Sequence, residues 1–152
     1  MIIKKLTLFI LGFIPLVLGF MMNSWILENQ ESVLPFKLIG FVFLAFWVIV
    51  GFIGFKFERT LLKSVVIAHL PALLALLLIM YQIISGQLWS NVFLAAQFYY
   101  LPLMNISAAV DGIFSFLLSW DNGLGLASIT AFLLMFAAYY VGYSLNKHLT
   151  IQ

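Results

Sequence analysis

The chain has 152 residues, 65% of them apolar and only 8% charged. A soluble domain is about 45–50% apolar and about 25% charged, and a 17 kDa globule exposes too much surface to hide the excess. Secreted, cytosolic and disordered proteins are therefore excluded, and an all-α integral membrane protein remains. The chain has no cysteine, which excludes disulfides, thiolate metal sites and thiol redox chemistry. Its net charge of +2 resides in short loops, where it signals topology and contact with anionic lipid, not nucleic acid.

The first span is expected at residues 6–22, behind Lys4 and Lys5. A short basic region followed by an apolar stretch resembles a signal peptide. The Phe20-Met21-Met22-Asn23 sequence lacks a small-residue cleavage pattern, so the segment reads as a retained signal-anchor kinked at Pro15. Further spans are expected at 36–55, at 61–85 with Pro71 inside, and at 124–145 after the Asp121-Asn122-Gly123 turn. Each approaches the roughly 20 residues that a bilayer core requires.

Residues 86–122 are too apolar for an ordinary loop, yet Pro102, Asn105, Asp111 and Gly112 punctuate them. They read as two short helices, 88–101 and 106–120, each about 20 Å long against a hydrocarbon core of about 30 Å. The sequence thus predicts one membrane domain over 1–152: a four-helix transmembrane bundle with an outward-facing re-entrant or interfacial helical hairpin. The alternative is five spans, which would carry Lys147 and His148 to the opposite side. In the four-span arrangement Lys4, Lys5, Lys56, Arg59, Lys63 and Lys147 share one side, leaving only Lys37 on the other. This bias puts both termini in the cytoplasm, with Trp25, Trp89 and Trp120 near the outer interface. Size and the basic signal-anchor suggest a bacterial cell membrane.

Small residues form stripes along the spans. Ala127, Ala131, Ala138 and Gly142 share one face of the last span, and Ser64, Ala68, Ala72 and Ala75 share one face of the third. Such stripes allow close helix approach, either within one bundle or against a partner or second copy. Ser107, Asp111, Ser115 and Ser119 recur every fourth residue in an apolar context and form a narrow polar stripe. A carboxylate facing lipid is costly, so Asp111 should point toward protein or a wet cavity. It serves as a helix cap or contact, lies exposed at the outer surface, or forms one wall of an outward-opening ligand site, with Gln97, Tyr100 and Asn105 as possible neighbours. His69 is the one histidine inside a span and the candidate intramembrane titratable group, or else an imidazole bonded to a carbonyl freed by Pro71.

No metalloprotease, nucleophile-elbow or phosphate-loop motif is present. No catalytic, cofactor or metal residues are nominated, and a non-enzymatic protein is expected. The outline is similar to membrane thiol oxidases, which need cysteines, and in size to small four-helix multidrug exporters, whose first-span carboxylate has no counterpart in residues 6–22. The first functional expectation is an accessory, regulatory or protective subunit that acts through helix contacts with a larger membrane partner or a second copy. The second is a binder or transporter of a lipid or small amphipathic molecule at the outer leaflet. Neither involves nucleic acid or nucleotide.

Overall fold

The computed structural model describes residues 2–86, 91–118 and 123–151, with side chains for 3–86, 94–112 and 123–150. These residues form six helices: α1 (Ile2–Leu11), α2 (Ile14–Glu28), α3 (Phe36–Phe57), α4 (Leu61–Ser85), α5 (Asn91–Leu118) and α6 (Gly123–Ile151). Four segments are long and apolar enough to cross a membrane: α1 with α2, α3, α4 and α6. Only 28–44% of each spanning stretch is buried inside the bundle. The rest presents Phe41, Ile49, Leu62, Leu77 and Leu133 outward, as a lipid-facing surface requires.

The breaks in the helices follow from backbone chemistry. Pro15, in the first turn of α2, has no N–H to give to an α1 carbonyl. The chain turns at Gly12 and Phe13, and the freed Gly12 carbonyl accepts the Tyr99 hydroxyl at 2.5 Å. α4 passes through Pro71 and stops at Gly86, whose φ of 67° is the left-handed conformation that favours glycine at a helix end.

Three contacts gather the start of α1, the α3–α4 turn and the end of α6 at one end of the bundle. Lys5 pairs with Glu58 at 3.2 Å, the Tyr143 hydroxyl donates to the Arg59 carbonyl, and Asn146 Nδ2 donates to the Phe52 carbonyl. α3 and α6 run in the same direction, since Gly142 lies on Val48 and Asn146 on Phe52. At the opposite, far end Gly125 lies against Ile83 and Met80 of α4.

α5 corrects the expected hairpin. It is one continuous helix of 28 residues, not two short ones. Neither Pro102 nor Asn105 breaks it: Asn105 is exposed, and Pro102 leaves only the Phe98 carbonyl without its usual donor. That oxygen presses against Gly19, where any side chain would collide with it. Ala95 and Ala96 lie near Pro71 and Ala75 at mid-bundle. Pro102 lies beside Met22, and Gly112 beside Gly123 at the far end. α5 therefore climbs from the middle of the bundle to the far end, and the termini stay together as an even number of spans requires. The alternative that would move Lys147 and His148 to the far end does not match these contacts.

Candidate functional site

Two polar regions occupy the interior. The first lies between α3, α4 and α6. Ser64 Oγ donates to the Gly54 carbonyl at 3.2 Å and contacts the Tyr139 hydroxyl at 2.5 Å. Above it the His69 ring packs on Trp47 at 4.8 Å, with Phe132, Phe136 and Tyr139 presenting rings at 5.1–6.0 Å. His69 Nδ1 sits 3.2 Å from the carbonyl of Val65, one turn back in its own helix. The carbonyl that Pro71 frees is Ile67's, so the expected kink contact is replaced by an ordinary i−4 contact. His69 Nε2 and Trp47 Nε1 are buried without a hydrogen-bond partner.

The second region lies between α5 and α6 toward the far end. Asp111 is 7% exposed, and its Oδ1 accepts the Thr130 hydroxyl at 2.5 Å. Its Oδ2 is buried and has no partner. Asp111 lines a cleft of about 490 Å³ whose other walls include Met104, Ala108, Leu124, Leu126 and Ala127. That volume lies within the range of small-molecule sites, about 300–1,000 Å³. Grooves at Phe20 and Phe98, and at Met22 and Phe43, are similar in size but lined by apolar side chains alone.

A magnitude separates helix contact from ligand site at Asp111. An interhelical hydrogen bond in a membrane averages about 0.6 and reaches about 1.7 kcal/mol. A carboxylate costs about 2.5–3.5 kcal/mol at the centre of a spanning helix and less toward a bundle end, where Asp111 lines a cleft with Gly123. The Thr130 bond offsets part of that cost and leaves Oδ2 unsatisfied. Comparison with protein-family models, curated proteins and solved structures finds no match. The chemistry of the site therefore rests on these residues alone.

Of the predicted polar stripe, Ser107 is fully buried and donates to the Leu103 carbonyl of its own helix at 2.9 Å. The Ser115 side chain and all of Ser119 lie outside the described residues. The proposed neighbours of Asp111 are elsewhere: Gln97 Nε2 donates to Gln82 Oε1 at 3.0 Å, Tyr100 donates to the Ala72 carbonyl at 2.6 Å, and Asn105 is exposed. The predicted helix-packing residues Ala127, Ala131 and Gly142 are buried, and Ala138 packs on the core from a partly buried position. Gly142 meets Val48, and Gly51 meets Tyr139, so α3 and α6 approach reciprocally. Sequence reasoning missed Thr130, which with Ser128 is one of two hydroxyls in an apolar run and shows no helical period. No group of three or more metal-ligating side chains is found among the described residues.

Proposed function

We propose that this protein is a small, non-enzymatic, multi-pass membrane protein that binds a lipid or other amphipathic molecule between α5 and α6. The observation that carries this is the cleft at Asp111: apolar walls, suitable volume, and one buried carboxylate oxygen without a partner. The positive-inside rule supports a cytoplasmic location for the end that holds both termini, with Lys4, Lys5, Lys56, Arg59, Lys63 and Lys147 grouped there. The cleft then opens in the outer half of the membrane, and a bacterial cell membrane fits such a topology.

An accessory-subunit role rests on small-residue stripes, little cytoplasmic mass and an absence of catalytic groups. Ala68, Ala72 and Ala75 of α4 and Ala127, Ala131 and Gly142 of α6 are buried within this chain, so the ligand-binding role has the stronger support. Gentle extraction followed by native mass spectrometry tests it. A single small molecule retained by the wild type and lost from Ala108→Trp, which fills the cleft from an exposed wall position, is the expected result. A stoichiometric protein partner, with no small molecule, would return the accessory role to first place.

A further inference from the structure

Asp111 has no basic residue to pair with. α5 contains no Lys, Arg or His, and neither does α2. The basic residues of α6, Lys147 and His148, are 17 and 18 positions beyond Thr130, roughly 25 Å along the helix. On α4, Lys63 lies at the terminus-bearing end and His69 is enclosed by aromatic rings. On α3, Lys37 is exposed and makes no ion pair among the described residues. The carboxylate beside an apolar cleft thus lacks a counter-charge, and among the described residues its Oδ2 has no donor, which leaves it open to one from outside the chain.

Given that the cleft is a binding site, we propose that its ligand is an amphipathic ammonium: a protonated amine whose N–H donates to Asp111 Oδ2 while its hydrocarbon lies along Met104, Ala108, Leu124 and Leu126. Three other classes fit less well. A bare metal cation needs about six oxygen ligands, whereas Asp111 and Thr130 supply one carboxylate and one hydroxyl. A quaternary ammonium has no N–H for Oδ2 and is recognised through aromatic faces, yet among the described residues no aromatic side chain lines the cleft. An anionic amphiphile would be repelled by the carboxylate. Both a free amine and the ammonium of a lipid headgroup supply the required chemistry.

The test uses the full chain in phosphatidylcholine nanodiscs, with octylamine, octyltrimethylammonium and octanol as matched probes for binding and thermal stabilisation. Octylamine should bind at least about tenfold more tightly than the other two, and Asp111→Asn should remove that preference. If adding phosphatidylethanolamine to the discs raises Tm in the wild type and blunts the octylamine response, the lipid headgroup is the source. An unblunted response assigns the site to a free amine. Equal binding of all three probes to the wild type overturns the ammonium assignment, and this head-group comparison decides the matter even if Asp111→Asn does not fold. Loss of that equal binding in Ala108→Trp keeps the cleft as a binding site. If no probe binds the wild type, or Ala108→Trp binds as well as wild type, the cleft itself is not the site and both proposals fall.

Discussion

The two halves of this bundle use the same residue types to different effect. In the half that holds the termini, Gly51 and Gly142 let α3 and α6 touch backbone to backbone, and Gly54 makes room for the Tyr139 hydroxyl. The Ser64, Tyr139 and Gly54 groups are hydrogen-bonded to one another there. In the far half a side chain added at Gly112 or Gly123 would meet nothing among the described residues. Beside them a carboxylate oxygen lacks a partner. Glycine closes the structure in the first half and does both in the far half: Gly40 and Gly125 seat the Ile106 and Ile83 side chains, while Gly112 and Gly123 border the cleft. In this bundle a satisfied, enclosed polar group joins helices, and the unsatisfied one beside space is the proposed ligand contact.

Substitutions can break or sharpen this contrast. The largest effect is expected from Gly142→Leu, which drives a side chain into the Val48 carbonyl and should destabilise the fold by about 3 kcal/mol, seen as loss of a monodisperse species in detergent. Asp111→Asn should act in the other direction on ligand-free protein. It keeps an acceptor for Thr130 while removing the charge, so thermal stability should rise by about 2 kcal/mol; a marked fall would make Asp111 a structural helix contact. Tyr139→Phe removes one interhelical hydroxyl and leaves Ser64 bonded to Gly54, so a loss of about 1 kcal/mol in thermal unfolding is expected. Gly112→Ala should leave stability within about 1 kcal/mol of wild type, on the stabilising side because alanine favours the helix.

The smallest effect lies outside the spans. The Lys5 ammonium bonded to Glu58, together with the Thr60 backbone N–H, holds the Glu58 carboxyl below its usual range. A depressed folded-state pKa contributes stability that is present above the ordinary carboxylate value and is lost as pH falls through the lower, folded value. Wild-type unfolding should therefore show a small acid-side loss that Lys5→Ala reduces, the Thr60 N–H remaining, measurable by thermal scans between neutral and acidic pH.

The sequence displayed much of this architecture because membrane spans obey a length and polarity rule that one chain can show. The expected third span, 61–85, coincides with α4, and the second differs from α3 by two residues at its end. Residues 86–122 were harder because Pro102 and Asn105 look like breaks in a one-dimensional reading. Whether Pro102 ends a helix depends on what receives the Phe98 carbonyl, and the answer, Gly19, is nearly eighty positions away. Asp111 was visible as an expensive group in an apolar context. Its partner Thr130 was not, because its hydroxyl carries no period, and the cleft beside it exists only once α5 and α6 are set side by side.

The order of assembly follows from α5. Among the described residues its buried Asp111 finds a hydrogen-bond donor on α6, the helix made after it. A nascent chain that ends before Gly123 would hold that carboxylate at the membrane with no Thr130 to meet it. α5 meets α2, α3 and α4 as it is synthesised, and its carboxylate gains the Thr130 hydroxyl when α6 inserts beside α3. A chain truncated before α6 should accordingly be a substrate for membrane quality control, not a smaller working bundle.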